Sequence, residues 1–481
     1  YASSYFGDSS PKSDDSGWLN HQEEIPVIAQ RYYSSTNVTV QDVELRLRYA
    51  DWHQTTILNV SEDNTRHFKV PDFRVYHSGD LYYNIQSAIE NATSGDTVYA
   101  WNGTFRENLI IDKEVILLGN GTGSTIIDGV GNTTIRVTGK YATIANLSVK
   151  GATNLSGTNR YGIFVNESGG ALNATDLRVY DNFIGIKFST TKIWGSRVAD
   201  STIELNDDTG FAVNTATDLR IENCTINNNG QHGINLDTTS NVLIYGNHIH
   251  NNSDHGIAWN AGGTGNGVHH NRIIDNGGDG IQTGYASAGS FTYNEIRDHS
   301  GSGWHKGIYT GARNSEFLHN NITGNDYGII IYGACCSGTY GTGNQVSHNY
   351  ISGNSYGIDI RLWAGSSNQL LSNIISESGR GISIRSGSFH TIENSTISDS
   401  SEYDFYITAG EHTVVNSTFS SISISTGADL RERELFSLRI LEEDSGPFVD
   451  FEIAVEDGTG TAYASPHWGG SDDLTDSSGS I

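Results

Sequence analysis

A glycine followed by an apolar residue, a spacer and a second apolar residue recurs through the middle of this chain. That recurrence limits what the chain can fold into. It reads Gly162-Ile163-Phe164-Val165, Gly185-Ile186-Lys187-Phe188, Gly210-Phe211-Ala212-Val213, Gly233-Ile234-Asn235-Leu236 and Gly256-Ile257-Ala258-Trp259. It continues at Gly280, Gly307, Gly328, Gly357 and Gly381, each followed by Ile, and closes on the variant Asp404-Phe405-Tyr406-Ile407. From Gly162 to Gly381 the glycines lie 23, 25, 23, 23, 24, 27, 21, 29 and 24 residues apart. A second phrase keeps step with it, an Asn shortly before an apolar residue: Asn247-His248-Ile249, Asn271-Arg272-Ile273, Asn294-Glu295-Ile296, Asn320-Asn321-Ile322, Asn349-Tyr350-Ile351 and Asn373-Ile374-Ile375.

A repeat of this length means stacked units, none of which can bury a core alone. Each unit holds short runs alternating apolar and polar, the signature of strands, separated by Asn, Gly, Ser and Asp, which favour turns. No unit carries an amphipathic helical stretch. The pattern therefore predicts an all-β chain built around a parallel β-helix, one coil per repeat. The residue after each Gly and the one two further on are expected to point inward. The residue before each Gly is expected near a corner, and the Asn residues to form an internal amide ladder.

The flanks read differently. Residues 1–24 are polar and aperiodic, an N-terminal arm. Residues 25–79 read as a small β unit, with Val43, Leu45, Leu47 and Tyr49 alternating with charged residues. Residues 81–92 space Leu81, Ile85, Ala88, Ile89 and Ala92 as one face of a helix that caps the open first coil, with Gly95 ending it. The β-helix is expected over 80–428, and 429–481 is expected to be an incomplete β-sandwich-like module, completed either by further sequence or by another chain.

The stretch after the cap carries a resemblance. Ser94-Gly95-Asp96-Thr97-Val98, Asn102-Gly103-Thr104-Phe105, Leu117-Leu118-Gly119 and Ile126-Ile127-Asp128-Gly129, followed by the Asn and Gly-Ile coils, resemble right-handed parallel β-helix proteins of the pectin-lyase-like superfamily. They look most like its NosD-type branch, which has carbohydrate-binding and sugar-hydrolase repeats and is common among archaeal and bacterial surface proteins. The resemblance implies a fold. The superfamily's functions range from lyases and hydrolases to adhesins, and its hydrolase and epimerase motifs are absent here as sets.

Composition excludes several partners. With a formal net charge of −27, the chain lacks the basic footprint that nucleic acid requires. No apolar run is long enough to span a membrane as a helix. The three cysteines, Cys224, Cys335 and Cys336, show no metal-ligand spacing, and no cofactor or metal motif is present. Fifteen Asn-x-Ser/Thr sequons favour a glycosylated, secreted or cell-surface protein: Asn37, Asn59, Asn91, Asn102, Asn120, Asn132, Asn146, Asn154, Asn166, Asn173, Asn223, Asn251, Asn321, Asn394 and Asn416.

Candidate chemistry gathers on neighbouring coils. His232, Asp237, His255, Asp279, Lys306 and Tyr309 are the expected carbohydrate-binding residues, with Asp254 and His305 close by. The same residues would also form an ordinary solvated stack of corner side chains. Tyr309, Tyr327, Tyr332, Tyr356 and Trp363 are candidates to stack on sugar rings, to form stabilising ladders or to contact a partner. Two longer coils, around 285–304 and 333–343, are expected to project loops. The leading expectation is a structural or adhesive surface protein that assembles with copies of itself by strand addition. A lyase or hydrolase of acidic glycans and a passive glycan binder are the alternatives.

Overall fold

The computed structural model describes residues 75–433 apart from short breaks at 79, 140, 154–159, 167–170, 190–194, 261–262, 285–287, 300–304, 334–339 and 362–364, together with the strand pairs 42–49/52–59 and 455–456/462–463. The polar arm, most of the region C-terminal to 433, Cys335, Cys336, Trp363 and the tips of both long coils lie outside the described residues.

The fold is a right-handed parallel β-solenoid of about 12 turns. Each coil contributes strands to three faces. The first face is one parallel sheet of 14 strands, running from Leu109–Ile111 through Phe211–Asn214, Ile234–Asp237, Ile257–Trp259, Ile281–Thr283, Lys306–Thr310, Tyr327–Tyr332, Tyr356–Arg361 and Arg380–Ile384 to Ile422–Ile424. The second and third faces are fused in the early coils by the long strands Tyr141–Lys150 and Ala171–Val179. They then separate into series such as Arg220–Glu222, Leu243–Tyr245, Gly267–His269 and Thr225–Asn227, His248–His250, Arg272–Ile274. Parallel pairing runs on through Asp429–Arg433, which pairs with Glu411–Val415.

The inward positions are those the Gly-Ile phrase predicts. Ile186, Phe211, Ile234, Ile257, Ile281, Ile308, Ile329, Ile358 and Ile382 pair in register and have no exposed surface. Each such side chain contributes about 1.5–3 kcal/mol of burial. The glycine before them serves close approach rather than an unusual φ. A Cβ at Gly233 would meet the Gly256 carbonyl oxygen at 2.7 Å, the Ile249 Cγ2 at 2.7 Å and the Asn252 Nδ2 at 2.9 Å.

Those Asn neighbours belong to amide ladders inside the corners. The predicted ladder is present: Asn247 Nδ2 donates to Asn271 Oδ1 (2.9 Å), Asn271 to Asn294 (3.1 Å), Asn294 to Asn320 (2.9 Å), Asn320 to Asn349 (3.0 Å) and Asn349 to Asn373 (3.0 Å). A second ladder runs Asn182, Asn206, Asn229, Asn252, Asn276, and there His299 takes the next rung. Its Nδ1 accepts the Asn276 backbone N–H at 3.2 Å, as an Asn oxygen would. His390 does the same for the Asn368 N–H at 3.2 Å in a third ladder. Burial holds both imidazoles far below the ordinary range, at about 4. Such ladders satisfy the buried amide groups of tight turns coil after coil.

The first coil is capped by α1 (Ile85–Asn91), shorter than the sequence suggests. Asn84 caps it by accepting the Ser87 N–H at 2.8 Å, and the Glu107 carboxylate of the next coil accepts the N–H groups of Ile85 and Gln86 at 2.9 and 3.0 Å. Ile85, Ala88, Ile89 and Ala92 are buried as expected. Gly95 does not hold the C′ position; the helix ends at Ala92 in an extended conformation, and Gly95 turns the chain three residues later with φ +93. Cys224 is buried, its thiol pushed up to about 12 by burial, and it serves as a small apolar side chain. No helix among the described residues is long and apolar enough to cross a membrane. Of the described sequon asparagines, Asn146 is half-buried and the others are exposed.

Candidate functional site

The outward side of the first face carries the site. The residues before the glycines form one column: His232, His255, Asp279, Lys306, Tyr327, Tyr356 and Arg380 on successive coils. Two residues after each glycine comes a second column, with Gln282, Tyr309, Ile330, Asp359, Ser383 and Tyr406 in register. A third column, two residues further, holds Asn214, Asp237, Tyr332, Arg361 and Arg385.

This face is unlike the other two. On a single-layer solenoid, outward side chains ordinarily meet water. Here Ala258, Ile330, Asp359 and Ser383 point outward yet have no exposed surface; Ser148 and Ala199 do the same on the other faces, and what sets this face apart among the described residues is its buried carboxylates, Asp279 and Asp359. The ion pairs show the same contrast. On the other faces, Arg178 pairs with Glu204 at side-chain exposures of 42% and 17%, and Arg272 with Glu295 at 44% and 36%. On the first face, Lys306 Nζ meets Asp279 Oδ1 at 3.2 Å with exposures of 19% and 3%, and Arg385 meets the fully buried Asp359, while Arg380 meets the exposed Glu402 at its edge. Buried charge costs several kcal/mol per ion unless it is paired, so polar recesses of this kind are where function concentrates.

Four of the six expected residues gather. His232 and His255 stack with centroids 5.2 Å apart and planes 4° apart. Asp254 bridges them, its carboxylate 3.6 Å from His232 Nδ1 and 3.5 Å from His255 Nε2. The His255 Nδ1 accepts the Asp279 backbone N–H at 2.8 Å. Asp279 in turn accepts the Lys306 backbone N–H at 3.1 Å, as well as its ammonium. Burial pushes the Asp279 carboxyl up, opposed by Lys306 and His255; burial, then the His255 charge, pushes His232 down. Tyr309 lies beside this group, with Lys306 Nζ 5.1 Å from its ring centre. Asp237 does not join it. It sits in the third column beside Asn214 and accepts from Thr238 Oγ1 at 3.1 Å.

Donor atoms of His232, Asp254 and His255 lie within 4.8 Å of one another, the spacing of a loose three-ligand metal site. Hydrogen bonding works against that use. Because His255 Nδ1 accepts an N–H, the ring proton sits on Nε2 and faces Asp254. The near-parallel rings send their lone pairs side by side rather than onto one point. The 3.9 Å approach of His255 Nδ1 to Asp279 is likewise no hydrogen bond, since that nitrogen is already an acceptor.

The tyrosines stack on one another. Tyr309 and Tyr332 are 4.2 Å apart and Tyr327 and Tyr356 4.5 Å, both pairs near parallel. Tyr332 leans across Gly311, where a Cβ would meet its Cζ at 3.1 Å, and donates to the Thr283 carbonyl at 3.4 Å. Each ring has thus given one face to its neighbour, the ladder arrangement that the sequence left open beside sugar stacking. Arg380 lies 3.8 Å over Tyr406 and Arg361 4.7 Å over Tyr327.

Sequence reasoning missed Asp359, Arg361 and Arg385. Asp359 is fully buried, held by Arg385 through Nε at 3.1 Å and a second, Nη2, contact, with Arg361 Nε 3.5 Å away. The signal lay in the repeat: the two coils from Gly357 and Gly381 place Asp359, Arg361 and Arg385 two and four residues after their glycines, three charges on adjacent rungs.

The profile of the right-handed beta helix region family matches residues 133–266, 196–338 and 333–432, well over half of the chain. The chain belongs to that family. The match does not single out the NosD-type branch. No curated protein matches this right-handed β-helix by sequence. Among solved structures it is similar to the A-module of the Azotobacter vinelandii mannuronan C-5 epimerase AlgE6, at 18% identity and TM-score 0.48, covering 73% of this chain and 94% of that one. It is also similar to the catalytic unit of a thermostable GH87 alpha-1,3-glucanase from Streptomyces thermodiastaticus, at 14% identity and TM-score 0.41, covering 71% of this chain and 64% of that one. Likenesses this distant assign no substrate to this β-helix.

Proposed function

We propose that the first face binds a polysaccharide, and that the protein is a secreted or surface β-helix that holds the glycan without turning it over. The observation that carries this is the recessed strip of buried carboxylates, paired cations, hydroxyls and tyrosine rings from His232 to Tyr406 on the first face. Its partners must be long and polar. Rungs spaced about 4.8 Å apart present one set of donors and acceptors per coil, a repeat that suits a linear polymer lying along the axis. Nucleic acid is a poor fit to a chain of charge −27. Exposed sequons such as Asn321 and Asn394 agree with a location outside the cell. Self-assembly through the arm and the C-terminal module remains part of this proposal, on the sequence alone.

A catalytic version has one observation in its favour: the buried Asp279 carboxyl, pushed up beside Lys306 and His255. The test is a panel of uronate-containing, sulfated and neutral polysaccharides, read both for binding and for new reducing or unsaturated ends. Binding without turnover is expected. Turnover that disappears in Asp279→Asn would replace the adhesive reading with the catalytic one, and binding to no member of the panel would refute both.

A further inference from the structure

Arg361 and Arg385 occupy the same column on adjacent coils, because Ile360 pairs with Ile384 one residue before them. Like charges placed side by side on neighbouring strands repel unless something compensates them. Among the described residues, the carboxylate in contact with either guanidinium is Asp359, which has no exposed surface. Elsewhere on the face the pairing is one to one: Lys306 with Asp279 and Arg380 with Glu402. Here two cations share one anion, and a single positive charge is left over.

The donors are also unequally used. Arg385 spends its Nε and one Nη2 bond on the two oxygens of Asp359. Arg361 sits close to the same carboxylate, but its Nε is buried without a hydrogen-bond partner. One Nη1 contact reaches the Tyr327 hydroxyl at 3.5 Å, the outer limit of a hydrogen bond. A buried N–H of a charged group left without an acceptor is costly, and a guanidinium fork is shaped to take a planar or tetrahedral oxyanion through two bonds. Both side chains keep an open edge, with exposures of 20% and 33%.

We infer that Arg361 and Arg385 form the seat for a carboxylate or sulfate group of an anionic sugar, with Asp359 as the positioning residue that locks Arg385 in place. This rests on the polysaccharide reading and names its substrate class. Asp359 itself touches no ligand: it is wholly covered and both its oxygens are engaged. The anion meets the open edges of the two guanidiniums and supplies the second negative charge that the pair requires.

The test compares wild-type affinity for a uronate polymer, a sulfated polymer and a neutral polymer at low salt, then repeats it with Arg361→Gln and Arg385→Gln. Anionic polymers are expected to bind about tenfold or more tightly than the neutral one, as a charge-assisted bidentate contact implies. Whichever of the uronate and sulfated polymers binds more tightly identifies the anion. Arg361→Gln is expected to lose most of that preference, read as the ratio of anionic to neutral affinity on the same variant. It is the cleaner variant, because it leaves the Arg385–Asp359 fork whole. Arg385→Gln uncovers a buried carboxylate, so it is read only after a thermal melt shows it folded. Equal affinity for neutral and anionic polymers, or a preference that survives Arg361→Gln, overturns the seat and leaves glycan binding standing. Failure of the wild type to bind any polymer overturns the polysaccharide reading itself.

Discussion

Replacing His299 with asparagine restores the amide ladder that the imidazole interrupts, and the consequence is a change in acid stability. His299 is buried, its Nδ1 accepting from the Asn276 N–H, and burial holds its pKa at about 4 against an ordinary 6.5. The unfolded chain therefore takes up a proton between pH 6.5 and 4 that the folded chain refuses. The stability this rung contributes is complete above pH 6.5 and is lost as pH falls toward 4. The gap is worth about 3 kcal/mol, at roughly 1.4 kcal/mol per pH unit. His390, also held at about 4, adds a second loss of the same order. In His299→Asn the titration disappears. The smaller side chain leaves some empty space, since the ring reaches to 2.5 Å from where a Gly280 Cβ would stand, so the variant is expected to match or fall slightly below wild type at pH 7.5. At pH 4.5 it is expected to exceed wild type by about 2–3 kcal/mol. Denaturant unfolding midpoints at the two pH values measure this. Parallel losses in both proteins would refute the neutral buried imidazole.

The remaining expectations concern the scaffold and the buried ion pair. Gly233→Ala drives a methyl into the Gly256 carbonyl and the Ile249 and Asn252 side chains, and is expected to cost about 1–3 kcal/mol in a thermal melt although its φ is ordinary. Asn320→Ala removes the acceptor for both Asn294 amide groups, 3.0 Å from the backbone and 2.9 Å from the side chain, and is expected to cost about 2–4 kcal/mol by denaturant unfolding. Asp279→Ala strands the Lys306 ammonium in a recess and is expected to cost about 3–5 kcal/mol, whereas Asp279→Ala combined with Lys306→Met is expected to cost less than the single change; a double-mutant cycle reads the difference.

The architecture was legible because period-two alternation and a fixed repeat both survive in one dimension. The phrase Gly-Ile places Ile234 inside, and the Asn-x-Ile phrase places Asn294 in a corner. The second ladder was harder to see. Asn206, Asn229 and Asn252 stand three residues after the inward Ile203, Ile226 and Ile249, without the Asn-x-Ile spacing that marks the first ladder. His299 and His390 were invisible as ladder members, because an imidazole imitates an amide only through the positions of its nitrogens. At the site, His232, His255, Asp279 and Lys306 could be grouped because they precede successive glycines. Asp237 shares their neighbourhood in sequence but projects from another column. Arg361 and Arg385 meet across a coil boundary, and only the register between Tyr356–Arg361 and Arg380–Ile384 shows that they share one carboxylate.

Hydroxyl-radical footprinting with a bound polysaccharide tests the central claim most directly. Tyr309, Tyr332, Tyr356 and Tyr406 lie on the first face and are partly exposed; Tyr245, Tyr293 and Tyr350 are exposed elsewhere on the coils. The account predicts that the glycan suppresses oxidation of the first four and leaves the other three unchanged. Protection of Tyr245, Tyr293 and Tyr350, with Tyr309 and Tyr356 still reacting at the unbound rate, would contradict it.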